Sequence, residues 1–178
     1  MPDTPAFTIA KVESDQEQQI ILPGLIYLLQ DTVDNGASVG FLPPLSTEEA
    51  RDYWTHVFQD VAQHTSILLI AHEDNQIIGS IQLGLATKPN ALHRAEVQKL
   101  FVLQSQRRRG IARALLQAIE QIALAEGRTL LVLDTRQGDA AEQLYRASGY
   151  HQAGIVPAYA RNAEGTLDAT VFYYKILP

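Results

Sequence analysis

Apolar residues recur along the chain with two periods, and the points where the period changes divide it into elements. Over residues 7–12, Phe7 and Ile9 alternate with smaller partners ahead of an Asp/Ser/Glu cluster, which predicts a short strand. Between residues 15 and 34, Ile20, Ile21, Leu25, Leu28 and Leu29 follow helical spacing. Pro23-Gly24 predicts a kink there or a division into two short helices. Residues 35–44 are a loop by composition, yet they carry Val39, Phe41 and Leu42, apolar side chains of a kind that lines ligand sites. Ser46-Thr47-Glu48-Glu49 supplies an N-cap and an acidic first turn, after which Ala50, Tyr53, Trp54, Val57, Phe58 and Val61 repeat at three and four as a helix. Two β-branched and aliphatic runs, 65–71 and 77–86, flank the turn Glu73-Asp74-Asn75-Gln76 as an antiparallel hairpin.

Lys88-Pro89-Asn90 breaks the pattern before a strand at 95–103, whose alternation puts Glu96, Gln98 and Leu100 on one face and Val97, Lys99 and Phe101 on the other. Residues 110–126 form a helix with the stripe Ile111, Ala114, Leu115, Ala118, Ile119 and Ile122, ended by Gly127. A strand at 129–134, a helix at 139–148 stopped by Gly149, and strands at 150–159 and 169–177 around Asn162-Ala163-Glu164-Gly165 complete the order. A hairpin followed by β-α-β-α-β-β predicts an α+β domain: a mixed, mostly antiparallel sheet flanked by helices.

Composition narrows the function classes. With 178 residues, 46% hydrophobic and 19% charged, the chain reads as one domain, 1–178, with material for a core and no disordered tail. It has no cysteine, so disulfides, thiolate zinc sites and a cysteine nucleophile are excluded. His56, His64, His72, His93 and His151 show no paired ligand spacing, and no metal is expected. A net charge of -6 disfavours nucleic acid or an anionic membrane as partner. Residues 1–7 lack the basic start and apolar stretch of a signal peptide, and no run approaches the ~18 apolar residues of a span, so a cytoplasmic location is expected.

Chemistry concentrates after the strand at 95–103. Arg107-Arg108-Arg109-Gly110-Ile111-Ala112-Arg113 puts a basic, glycine-containing turn at a helix N-terminus, where unspent backbone N–H groups and the positive helix end favour a phosphate or pyrophosphate. A solvated surface turn is the competing reading. Neither G-x-x-x-x-G-K-[ST] nor G-x-G-x-x-G after a strand nor G-x-S-x-G is present, which removes P-loop, dinucleotide and esterase readings.

Arg107-x-x-Gly110-x-Ala112 after a strand resembles the R/Q-x-x-G-x-G/A acetyl-coenzyme A motif of the GNAT superfamily of N-acetyltransferases. Downstream, Ala141-Glu142-Gln143-Leu144-Tyr145-Arg146-Ala147-Ser148-Gly149-Tyr150 is similar to the family's second signature, A-x-x-L-Y-x-x-x-G-F/Y. Residues 36–41, 88–90, 94–100 and 133–135 resemble a branch of the family that acetylates an amino-acid-like β-lactam toxin, a likeness running from about residue 25 onward. Where many members carry an Asn three residues before the second motif's Ala, this chain has Gly138.

The resemblance implies the GNAT fold and direct transfer of acetyl from acetyl-coenzyme A to a primary amine of a small amino-acid-like molecule (toxin, antibiotic or metabolite), without an acyl-enzyme. It implies cofactor contacts at Phe101, Val102 and Leu103, where a backbone N–H would polarise the thioester carbonyl, and at Arg107, Arg108, Arg109, Gly110, Ile111, Ala112 and Arg113. Glu96 is the expected base, against the alternative of simple pairing with Arg94 or Lys99. Asp134 would assist it or, alternatively, cap the following turn. Tyr145 would protonate the departing thiolate or merely pack beside Leu144. The loop 35–44, Tyr53, Trp54 and Tyr159 are weaker acceptor-site candidates, since Tyr53 and Trp54 sit on a packing stripe. Acetylation of a protein or peptide amine and a non-catalytic acyl-coenzyme A sensor are the alternatives, and the C-terminal strands offer an edge for a homodimer.

Overall fold

The computed structural model describes residues 7–178. The residues before Phe7, on which the absence of a signal peptide was argued, lie outside it. In chain order the elements are β1 (Thr8–Lys11), α1 (Asp15–Asp34), α2 (Thr47–Ala62), β2 (Ser66–Glu73), β3 (Gln76–Leu85), β4 (Arg94–Val102), α3 (Ile111–Ala125), β5 (Leu130–Arg136), α4 (Ala141–Ala147), β6 (His151–Arg161) and β7 (Leu167–Ile176). The strands form one seven-stranded sheet in the order β1-β2-β3-β4-β5-β7-β6. Every pairing is antiparallel except β4 with β5, which the α3 crossover makes parallel. The hairpin turn between β2 and β3 is Asp74-Asn75, both at positive φ, as a two-residue connection with right-handed strand twist requires.

β2 is buried along six consecutive residues, so both faces of the central sheet are covered. α1 and α2 pack on each other over one face and α3 lies on the other. Trp54 is fully buried between them, its Nε1 donating to the Leu25 carbonyl at 2.8 Å and its ring meeting Phe101 edge-on, which joins α1, α2 and β4. α2 starts with a capping box in which Ser46 Oγ accepts from the Glu49 N–H and Glu49 accepts from the Ser46 N–H.

Two expectations are corrected. The segment around Pro23-Gly24 does not divide, because α1 runs unbroken through Pro23. Pro23 and Gln19 both face solvent, so the carbonyl that Pro23 leaves without a helical donor can be hydrated, and Gly24 lets the helix press on β3. A Cβ at Gly24 would come within 2.8 Å of Ile77. The strict alternation expected along β4 also fails. Ser80 pairs with Phe101 but Gln82 with Gln98, so β4 carries one extra residue, and Lys99 there sits at φ 52°. This bulge moves Lys99 off the face of Val97. Among the described residues no helix is long and apolar enough to cross a membrane.

Candidate active site

β4 and β5 are paired only at Arg94–Leu130, Ala95–Leu131 and Glu96–Val132. Beyond Glu96 the two strands diverge, and a cleft of about 920 Å³ opens between them. Its walls are β4 from Glu96 to Val102, the basic turn and first turn of α3, the end of β5 with the start of α4, the loop 35–40, and Tyr159, Ala160 and Asp168–Thr170 from the last hairpin. Parting two parallel strands leaves backbone donors and acceptors along both flanks without strand partners, so an extended ligand carrying amide groups can pair with them.

At one end, Arg107, Arg108, Gly110, Ile111, Ala112 and Arg113 line the cleft. The first bond of α3 runs from the Ala114 N–H to the Gly110 carbonyl at 3.0 Å, so the N–H groups of Ile111, Ala112 and Arg113 have no intrahelical acceptor. Arg108 (φ 64°) and Gly110 (φ 81°) both turn through the left-handed region, curling the chain around that end. The result is an anion site of the helix-N-terminal type, with cationic side chains beside it. Arg109 is not part of it. Its guanidinium makes two bonds to Glu73, at 2.8 and 2.9 Å, and one to Gln106, holding the turn to β2. Leu103 is likewise outside the cleft: it is buried and its N–H donates to the Ile78 carbonyl at 3.0 Å, so it is unavailable to a thioester, whereas Phe101 and Val102 remain on the wall.

Glu96, Asp134 and Tyr145 line the same cleft although they come from β4, β5 and α4. Among the described residues Glu96 forms no ion pair, so neither Arg94 nor Lys99 ties it up. Asp134 does not cap the turn after β5; its Oδ2 accepts from Thr170 Oγ1 at 2.9 Å, a contact that orients the carboxylate from β7. The Tyr145 ring is held between Tyr150, at 5.7 Å between centroids, and Tyr173, at 6.1 Å. Burial, reinforced by the Asp134 charge, pushes the Tyr145 phenol up to about 12, so it is protonated at neutral pH. Both readings of Tyr145 are therefore compatible in one residue: the ring packs, and the side chain reaches the cleft.

Gly138, where family members carry Asn, has its N–H donated to Glu142 Oε1 at 2.7 Å. The other oxygen of Glu142 accepts from Arg146 and from the Tyr173 hydroxyl, so the loop before α4 is fixed by the backbone and one carboxylate. Glu142 is a positioning residue that periodicity conceals, because its partners lie on β7 and in a loop. Arg136 also reaches the cleft wall but is committed to Asp139 at 2.9 Å and Asp168 at 3.6 Å.

Of the weaker candidates, the loop 35–40 and Tyr159 line the cleft, whereas Trp54 is core. Tyr53 supports the loop from behind, its ring meeting Phe41 edge-on at 5.4 Å and its hydroxyl accepting from Gln82 at 2.7 Å. The residue sequence reasoning missed is Lys99. Its Nζ donates to the Val39 carbonyl at 2.6 Å, and only the positive φ at the bulge directs it there.

The fold is a mixed sheet parted between its parallel strands, with an anion-binding helix end at one end of the cleft. Residues 28–150 match the Acetyltransferase (GNAT) family, and the chain belongs to that family. It is 33% identical over 109 residues to an uncharacterized N-acetyltransferase in the hisH-hisA intergenic region of Azospirillum brasilense, a match covering 60% of this chain and 63% of that relative. Among solved structures it is similar to an N-acetyltransferase from Staphylococcus aureus Mu50 (TM-score 0.78, 21% identity, 96% and 99% of the two chains). It is also similar to yncA from Salmonella typhimurium, a structure with its cofactor acetyl-CoA (TM-score 0.80, 15% identity, 97% and 95%). A third likeness is to a ribosomal-protein-alanine N-acetyltransferase from Brucella melitensis (TM-score 0.77, 21% identity, 96% and 99%). At these identities the structural likenesses carry the fold.

Proposed function

We propose that the chain is a single-domain, cytoplasmic N-acetyltransferase that moves acetyl from acetyl-coenzyme A directly to the primary amine of a small, amino-acid-like molecule. The observation that carries this reading is the meeting of two carboxylates, Glu96 and Asp134, with a protonated phenol, Tyr145, in the cleft that also holds the anion site of α3. The residues fit the donor: cations and unspent N–H groups for its pyrophosphate, and open strand flanks for the amides of its pantetheine arm. When bound, acetyl-coenzyme A supplies the activated acetyl thioester. Arg107, Arg108 and the first turn of α3 would hold its phosphates, and the β4 backbone at Phe101 and Val102, on the cleft wall, is where a thioester carbonyl would be polarised. Glu96 would accept the proton of the acceptor ammonium and Asp134 would orient the amine; as the N–C bond forms and the C–S bond breaks, Tyr145 would protonate the departing thiolate and the second nitrogen proton would restore its phenol.

The sequence resemblance to the tabtoxin resistance protein supports the amino-acid-like acceptor. Calorimetric titration with acetyl-coenzyme A, followed by a thiol-release assay across amino acids, amine toxins and peptides, tests the reading. Binding with release dependent on a small amine is expected. Release with peptides alone would move the acceptor to a protein amine, binding without any release would leave a sensor, and no binding would overturn the donor assignment.

A further inference from the structure

We infer that Lys99 is the specificity residue that binds the carboxylate of the acceptor, so that the acceptor is recognised as a zwitterion: its amine by Glu96 and Asp134, its carboxylate by Lys99. This rests on the acetyl-transfer reading above and adds the feature that would separate amino acids from simple amines.

The fold does not spend the cations of the cleft alike. Five cationic side chains line the cleft: Lys99, Arg107, Arg108, Arg113 and Arg136. The three on and beside the first turn of α3 stand at the anion site, and Arg136 is consumed by Asp139 and Asp168. Lys99 is the cation left on the acceptor side. The bulge in β4 brings it there, since strict alternation would have turned it into the core beside Val97. An ammonium has three donors. One goes to the Val39 carbonyl, and among the described residues Lys99 makes no other hydrogen bond and no ion pair.

Burial holds the Lys99 pKa below the usual lysine range, while the charges of Asp134 and Glu96 work in the opposite direction. The ammonium is thus within electrostatic reach of both carboxylates without touching either. A half-buried cation with two donors that no protein group takes faces the cleft, where a ligand carboxylate can accept from both. The donor's phosphates are met at the other end. A carboxylate a bond or two from the reacting amine meets both requirements, with the ammonium facing the acids and the carboxylate facing Lys99. The Val39 bond also stations loop 35–40 beside the same group on the cleft wall.

The test compares an amino-acid acceptor with its methyl ester. The wild type is expected to favour the free acid by about ten- to a hundredfold in kcat/KM, the range of a charge-assisted hydrogen bond. In Lys99→Gln that ratio is expected to fall toward one while acetyl-coenzyme A affinity and Tm hold, and Lys99→Arg is expected to retain much of it. A wild-type ratio near one, with amines turned over, would overturn the inference and leave the transferase reading intact. Equal loss for acid and ester in Lys99→Gln would show that Lys99 only holds the loop, and would overturn it too. Should no amine be turned over, the transferase reading fails separately. Calorimetry of the coenzyme A-loaded protein with N-acetylamino acids against their methyl esters still reads the carboxylate site, and equal or absent binding there counts against it.

Discussion

At Tyr145 the ring provides packing and the hydroxyl the proposed chemistry. Its ring is wedged between Tyr150 and Tyr173, so removing the hydroxyl should leave the packing unchanged. Tyr145→Phe is therefore expected to keep Tm and acetyl-coenzyme A affinity while lowering kcat about a hundredfold, the lower range for loss of a general acid, as read by steady-state thiol release. Gly110 makes a different argument. No protein atom lies within 4 Å of where its Cβ would stand, so packing within the chain does not demand glycine; the φ of +81° favours it. Gly110→Val should cost roughly 1–2 kcal/mol in this conformation and weaken acetyl-coenzyme A binding, whereas Gly110→Asn, which tolerates the left-handed region, should bind nearly as well. Calorimetric Kd values for the two variants separate backbone strain from steric exclusion.

At the scale of elements, the helices on one face are tied together by Trp54. Its indole bond to Leu25 and its contact with Phe101 make α1, α2 and β4 one packing unit. Trp54→Ala should cost ~3–5 kcal/mol in denaturant unfolding, because it leaves a cavity and strips the Leu25 carbonyl of its donor. α1 itself survives an internal proline because tertiary burial of Leu22, Leu25, Ile26, Leu28 and Leu29 outweighs one missing hydrogen bond on the solvent side. The β4 bulge is the opposite case, a local irregularity that tertiary structure retains where Lys99 enters the cleft.

Across the whole molecule, Glu142 links the loop before α4, α4 itself and β7 through Gly138, Arg146 and Tyr173. The Tyr173 hydroxyl, followed by the Gly138 N–H and Arg146, holds this carboxyl below the usual carboxylate range. A depressed folded-state pKa stabilises the protein fully above the unfolded carboxylate's pKa, and that contribution is lost as pH falls through the depressed value. Melting curves between ~pH 6 and ~pH 2 should therefore show a loss of stability on the acid limb that is flattened in Glu142→Gln. An unchanged acid limb in that variant would show that other carboxylates carry the transition.

Much of this was legible along the chain. The hairpin, the α2 capping box, the α3 stripe and the basic turn follow from local period, caps and composition, because each is decided by residues a few positions apart. Glu96, Asp134 and Tyr145 were singled out through the resemblance to the family's motifs, which also named the donor they would serve. Their meeting in one cleft depends on β4 and β5 being neighbours that part after Glu96, which no local pattern encodes. The same holds for Arg109 turning to Glu73, Leu103 giving its N–H to Ile78, and Lys99 reaching Val39. Each is settled by a partner 25 or more residues away, whose position exists only once the sheet has formed, so tertiary structure alone decided that Arg109 is spent on Glu73 and that Lys99 stands on the cleft wall.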